Sequence, residues 1–217
     1  MAGPDHDNYL AKLNLFVKHL QEIEEYSEVM FKQFMRKMNA AKTVGAYIGL
    51  RFEINIAASL IRKGIAFEKG ESPDYRIKSG KEKVFIECAS SHISAPKQDD
   101  LKYKIGASIR QKSKEEYANY GTAMFIDSTN IIYNMSRNQM IPGRDQMKEY
   151  LKKLLSPTKL GNATIFTYLF DVISSEFHSH YIRVDNQNIT EPLLVFLDKY
   201  YPVGTVFIKP AMLPGTG

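Results

Sequence analysis

Residues 71 to 90 read ESPDYRIKSGKEKVFIECAS, and this stretch decides the fold. In each half, apolar side chains recur at every second position, which is typical of half-buried β-strands. The alternating apolar residues are Tyr75, Ile77, Val84, Ile86 and Cys88. Between the halves, Ser79-Gly80 supplies a turn, because glycine readily adopts a positive φ. The stretch therefore predicts a β-hairpin.

The hairpin brings two carboxylates together. If Ser79-Gly80 is a two-residue loop, Asp74 faces Phe85, and Glu87 is the diagonal neighbour of Asp74 on one face of the sheet. Diagonal neighbours have Cβ atoms roughly 5–8 Å apart, so both carboxylates can share one divalent cation. A slip of one residue would put them on opposite faces, and the apolar alternation argues against it.

These residues resemble a known motif. Pro73-Asp74, a hairpin and then Phe85-Ile86-Glu87 look like the PD-(D/E)xK motif of the restriction-endonuclease-like nucleases. The resemblance implies that Asp74 and Glu87 bind Mg²⁺ or Mn²⁺ and that the protein cleaves phosphodiester bonds. The third motif residue, a lysine two positions after the glutamate, would fall at Ala89.

The surrounding elements predict an α/β fold. A helix over 42–62, with Thr43 as N-cap and Gly64 as its stop, precedes a strand over 64–68 and the hairpin. A helix over 99–117 and a strand over 121–127 then form a βαβ unit with parallel strands. The resulting mixed central sheet flanked by helices matches the core implied by the resemblance.

Glu53 lies beside the apolar stripe of the 42–62 helix. By the resemblance, this glutamate completes the metal site, directly or through water. The plain alternative is a surface salt-bridge residue.

Hydrolysis also needs a metal that polarises the phosphate and activates water. Asp74, Glu87 and the backbone carbonyl of Cys88 supply the oxygen ligands that Mg²⁺ prefers, and Glu53 holds a metal-bound water.

Three explanations for the missing motif lysine stay open. Lys104 or Lys112, on the helix that follows the hairpin, can replace it, as in some nucleases of this superfamily. Alternatively, Ser90 or Ser91 orients the water. In the third explanation the site is inactive and the domain only binds.

The amino-terminal part, 9–38, predicts one long helix or two consecutive helices with an apolar face. It either packs on the core or forms an arm that caps the site or mediates a homodimer. We therefore divide the chain into a helical extension over 1–42 and a nuclease-like domain over 43–217, with a single domain as the alternative.

The residue pattern of the carboxyl-terminal part predicts its secondary structure less clearly. It predicts an irregular or briefly helical stretch over 131–140, helices over 144–155 and 191–201, a strand over 178–184, and strand or helix over 162–174. His178 and His180 share one strand face and could hold a metal with Asp171 or Glu176, although solvent-facing side chains are the simpler interpretation.

Composition restricts location and partners. The chain has 217 residues, a formal charge of +5 and one cysteine, Cys88, which we interpret as a core residue. No apolar run approaches the roughly 18 residues of a membrane span, and the amino terminus does not resemble a signal peptide. We expect a soluble cytoplasmic protein without a membrane partner.

The positive charge favours a nucleic-acid partner, DNA rather than RNA. Basic and aromatic residues of the 99–117 helix could follow its backbone, and the alternative is a solvated helix face. The residues concerned are Lys97, Lys102, Tyr103, Lys104, Arg110, Lys112, Lys114 and Tyr117. The sequence thus favours an enzyme, a metal-dependent nuclease. The alternative is an inactive nuclease-like domain that binds nucleic acid or protein.

Overall fold

The computed structural model describes residues 4–79, 82–91, 100–137, 143–171 and 176–203. Its helices are α1 Pro4–Tyr26, α2 Glu28–Ala40, α3 Val44–Arg62, α4 Asp100–Lys112, α5 Thr129–Arg137, α6 Arg144–Leu155 and α7 Glu191–Tyr200. Its strands are β1 Phe67–Lys69, β2 Tyr75–Ser79, β3 Glu82–Ser90, β4 Thr122–Asp127, β5 Asn162–Asp171 and β6 Glu176–Asp185.

The strands form one open six-stranded sheet in the order β1-β2-β3-β4-β5-β6. Strands β1, β2 and β3 are antiparallel, β3, β4 and β5 are parallel, and β6 is antiparallel to β5. Helix α4 is the crossover between β3 and β4, as predicted for the βαβ unit. The protein is therefore an α/β fold with a mixed sheet flanked by helices, and this part of the sequence prediction is confirmed.

Each face of the sheet carries its own apolar core. The first core joins α1, α2, α3 and α7 to one face and includes Phe34, Phe52 and Phe125. The second core joins α4, α5 and α6 to the other face and includes Ile105 and Leu151. Helix α4 packs on this core through Leu101, Ile105 and Ile109, which are all at most 2% exposed.

The amino-terminal part forms two helices. Ser27 caps α2, and its side chain accepts a hydrogen bond from the Met30 amide at 3.3 Å. Phe16, Ile23 and Phe34 are buried in the first core together with residues of α3 and the sheet. Leu13, which recurs with Phe16 and Ile23 in the apolar pattern of this segment, is 41% exposed. Both helices thus contribute to the core shared with 43–203.

Helix α3 begins and ends as predicted. The Thr43 side chain accepts a hydrogen bond from the Ala46 amide at 3.1 Å, and Gly64 adopts a φ of 65° after the last turn. Within the described ranges, α3 is the one helix long and apolar enough to cross a membrane. Seven of its residues are buried, and core helices of soluble proteins share this composition.

The hairpin register differs from the predicted one. Ser79 pairs with Glu82, and Arg76 pairs with Phe85 instead of Lys83. This is a shift of two residues, which preserves the alternation of side chains and therefore left no trace in the apolar pattern. As a consequence, continuation of the ladder places Asp74 directly opposite Glu87 instead of on the diagonal.

The later elements follow the prediction closely. Helix α6 has the predicted bounds, and the ambiguous segment over 162–174 contains strand β5. The stretch over 131–140 is helical as far as Arg137, within α5. The predicted strand over 178–184 lies within β6, and the closing helix is α7.

Candidate active site

Asp74 lies where the chain turns into β2. The Gly70 amide donates a hydrogen bond to the Asp74 carbonyl at 2.9 Å. A Cβ atom at Gly70 would lie 2.5 Å from the Pro73 carbonyl oxygen, so this turn requires glycine. The Asp74 carboxylate is buried, and its Oδ2 accepts a hydrogen bond from the Cys88 amide at 2.8 Å. This bond holds Asp74 beside the peptide that follows Glu87.

Glu87 is 2% exposed and forms an ion pair through Oε1 with the ammonium of Lys112 on α4. Its Oε2 is buried and accepts no hydrogen bond from the described residues. Burial and the neighbouring Asp74 raise the pKa of Glu87, and Lys112 opposes this shift. Burial lowers the pKa of Lys112, but Glu87 outweighs that effect and the net shift is upward.

Glu53 approaches the same place from α3. The Tyr75 hydroxyl donates a hydrogen bond to the Glu53 carbonyl at 2.6 Å and ties this turn of α3 to β2. The Glu53 Oε2 lies 3.0 Å from Nζ of Lys69 and 3.6 Å from Nζ of Lys37. Burial and Asp74 raise the pKa of Glu53. Glu53 does form salt bridges, as the plain alternative predicts, but its side chain is only 19% exposed and so does not lie on the open surface.

Lys69 is the site residue that the sequence reasoning missed. Its side chain is 5% exposed, and its ammonium lies 3.0 Å from both Asp74 Oδ1 and Glu53 Oε2. It also donates to the Gly70 carbonyl at 2.8 Å. Burial lowers the pKa of Lys69, but Asp74 and Glu53 outweigh burial, so the pKa is raised. The overlooked signal is that Lys69 continues the inward-facing positions of Ile65 and Phe67.

Two further residues border the site. Lys37 of α2 lies 3.2 Å from the exposed Glu71, in addition to its contact with Glu53. The buried Tyr117 hydroxyl lies near Glu87, outside hydrogen-bond geometry with any described residue. Burial and Glu87 raise the pKa of Tyr117. The sequence pattern does not distinguish Lys37 from a surface residue, and it suggested Tyr117 only as a possible nucleic-acid contact.

The structure distinguishes between the residues that could replace the missing motif lysine. Lys112 contacts Glu87, whereas no contact among the described side chains joins the Lys104 ammonium to a site carboxylate. Ser91 is buried, and its Oγ has no hydrogen-bond partner in the described ranges. Ser90 lies against α3, since a Cβ at Gly49 would be 3.2 Å from its Oγ.

The donor set suits a hard divalent cation. Asp74 lies just before β2 and Glu87 lies on the neighbouring β3, and within the described residues Glu87 Oε2 is a buried acceptor without a hydrogen bond. The Cys88 amide points to Asp74, and in a strand the carbonyl of the same residue points to the same side. Across the described residues, no three His, Cys, Asp or Glu side chains are grouped to hold an ion, and the Lys69 ammonium lies between Glu53 and Asp74.

Helix α4, whose Lys112 contacts the site, also carries the exposed Arg110 and Tyr103, which is 63% exposed, and Lys114 just after its end is exposed. Helix α6 packs beside α4, where the Tyr150 hydroxyl donates to the Lys102 carbonyl at 2.6 Å. Helix α6 itself carries Lys148, Lys152 and Lys153. The predicted contribution of Lys97 lies outside the described residues.

His178 and His180 do not form a solvent-facing pair. Both are half-buried, and His180 lines an apolar cavity of about 290 Å³ under α4 and α6. Burial and His178 lower the pKa of His180. The side chains of Asp171 and Glu176 lie outside the described part of the chain. Cys88, in contrast, is a core residue as predicted, and burial raises the pKa of its thiol.

Comparison of the chain with models of protein families, with curated proteins and with solved structures gave no match. The functional conclusion therefore depends on the geometry of the site.

Proposed function

We propose that the protein is a metal-dependent nuclease with a restriction-endonuclease-like core, which hydrolyses phosphodiester bonds in DNA or RNA. One observation carries the proposal. Of the five residues chosen from the sequence, four belong to one connected set of contacts. Glu53 of α3 and Asp74, just before β2, share Lys69, while Asp74 accepts from the Cys88 amide next to Glu87, which pairs with Lys112 of α4.

Each residue of the site has its own role in the proposed reaction. Asp74 and Glu87, with the Cys88 carbonyl, would hold Mg²⁺ or Mn²⁺, which supplies Lewis acidity and an activated water. Lys112 takes the role of the missing motif lysine, since its side chain is 27% exposed and can turn from Glu87 towards a phosphate. The basic residues of α4 and α6 offset the charge of the nucleic-acid backbone.

A second candidate function is a catalytically inactive domain that binds nucleic acid or a protein partner. The charge balance of the site favours it. The carboxylates of Glu53, Asp74 and Glu87 are matched by the ammonium groups of Lys37, Lys69 and Lys112. A divalent ion must therefore loosen at least one existing ion pair in order to bind.

A cleavage assay decides between the two functions. The protein is incubated with plasmid DNA, single-stranded DNA and RNA in Mg²⁺ or Mn²⁺, beside Asp74→Asn, Glu87→Gln and Lys112→Met. We expect cleavage by the wild type and a loss of at least about a hundredfold in the three variants. Glu82→Gln is the matched control, because Glu82 is an exposed carboxylate on the same strand as Glu87.

Equal cleavage by wild type and Asp74→Asn would identify a contaminant and refute the proposal. Binding of labelled DNA or RNA without any cleavage would establish the second function instead. A mobility-shift assay on the same variants measures that binding.

A further inference from the structure

We propose that Lys69 is a built-in second cation: its ammonium occupies the place between Glu53 and Asp74 that a second metal ion would take. The site then binds a single divalent ion, at Asp74 and Glu87. The inference deepens the proposed function and rests on it for that single ion.

The coordination of Lys69 carries this inference. An ammonium has three N–H donors, and Lys69 has three oxygen neighbours. They are Gly70 O at 2.8 Å, Asp74 Oδ1 at 3.0 Å and Glu53 Oε2 at 3.0 Å. The contacts to Gly70 and Asp74 are hydrogen bonds, the contact to Glu53 is an ion pair without hydrogen-bond geometry, and the Lys69 side chain is 5% exposed.

Aromatic rings confine the ammonium further. Nζ of Lys69 lies 5.1 Å from the centre of the Tyr75 ring and 5.8 Å from the centre of the Phe34 ring. Both distances are within the range of a cation–π contact. A lysine with this surrounding is a fixed charge, unlike the partly exposed Lys112, and is unsuited to deliver a proton to a substrate.

The Lys69 ammonium lies between two carboxylates, as a metal ion does in a two-metal site. In two-metal sites, a bridging carboxylate joins ions roughly 3.5–4 Å apart. Here Asp74 takes the bridging position, because Oδ1 contacts the ammonium while Oδ2 accepts from the Cys88 amide, which follows Glu87 on β3. Glu53, which could bind a second ion, is instead engaged by Lys69.

Removal of the ammonium should therefore create a metal site. Mn²⁺ binding is measured by calorimetry and by the loss of the free-ion signal in electron paramagnetic resonance. We expect one ion per wild-type chain and one additional ion in Lys69→Met. The double variant Lys69→Met/Glu53→Gln should lose the additional ion, and Lys78→Met, at an exposed position of β2, should bind as wild type does.

The number of additional ions bound by Lys69→Met tests this inference separately from the proposed function. If the wild type binds no ion and Lys69→Met binds one, the single-ion site at Asp74 and Glu87 fails, whereas the cation role of Lys69 holds. An unchanged number of ions in Lys69→Met overturns the inference. If Lys69→Met is unfolded without metal, circular dichroism should show refolding in Mn²⁺, and failure to refold overturns it equally.

Discussion

The ion pair between Glu87 and Lys112 gives the sharpest test of the site. Glu87 is 2% exposed, so its charge depends on Lys112 for compensation. In Lys112→Met the carboxylate stays buried without its partner. Breaking one side of a buried ion pair costs about 3–5 kcal/mol. Because the Lys112 side chain is 27% exposed, water replaces part of the interaction, and we expect a loss of about 2–3 kcal/mol at pH 8.

The loss should depend on pH with a defined sign. The folded-state pKa of Glu87 is raised by burial and by Asp74, and removal of Lys112 raises it further. Stability linked to a raised carboxyl pKa is present at low pH and is lost as pH rises through the folded pKa. The difference between wild type and Lys112→Met is therefore largest at pH 8 and shrinks as the pH falls and Glu87 takes up a proton.

Urea unfolding followed by far-ultraviolet circular dichroism measures this difference, since the chain contains no tryptophan. We expect Glu87→Gln/Lys112→Met to recover most of the loss, because the buried charge is gone. Lys114→Met, at an exposed neighbouring position, is the control. A change below about 0.5 kcal/mol at pH 8, or a loss that is equal at all pH values, would refute the reasoning.

Two predictions concern the rest of the fold. Burial lowers the pKa of His19 from 6.5 to about 4, so stability present above pH 6.5 is lost as pH falls towards 4, by about 3 kcal/mol. Urea unfolding of wild type and His19→Gln at pH 7 and pH 4 checks this, and equal pH dependence of both contradicts it. A Cβ at Gly161 would lie 2.1 Å from the Tyr120 carbonyl oxygen, whereas Gly45 has no atom within 4 Å. In thermal unfolding, Gly161→Ala should lose about 2–3 kcal/mol and Gly45→Ala should gain about 0.5–1 kcal/mol; similar effects at both positions would refute the clash.

Sequence patterns predicted the fold well where one physical signal dominated. Helix α3 has a Thr43 cap, an apolar stripe and Gly64 after its end, and all three were confirmed. The hairpin was predicted with the correct faces but the wrong register, because a shift of two residues leaves the alternation intact. Pairing strength along the whole ladder selects the register, and no local pattern contains that information.

The site residues also differ in how far the sequence alone could predict them. Asp74 and Glu87 could be found because they lie on one hairpin, close in sequence and on one face. Lys37 could not, because its position depends on how α2 packs against α3. Lys69 had a local signal, a charge at an inward-facing position, but its meaning required Glu53 from a distant helix.

The absence of a lysine at position 89 follows from the packing of α4. Ala89 lies two residues after Glu87 on the same strand face, opposite Ile126, and packs against the second core. A lysine at position 89 would place its aliphatic side chain in the apolar core under α4. Its ammonium would lie near the Lys112 ammonium, which already pairs with Glu87. Buried ion pairs contribute little stability compared with apolar side chains of similar size. Stability alone therefore does not account for the burial of Glu87 with Lys112, whereas the proposed function requires a carboxylate and a cation at this point of the sheet.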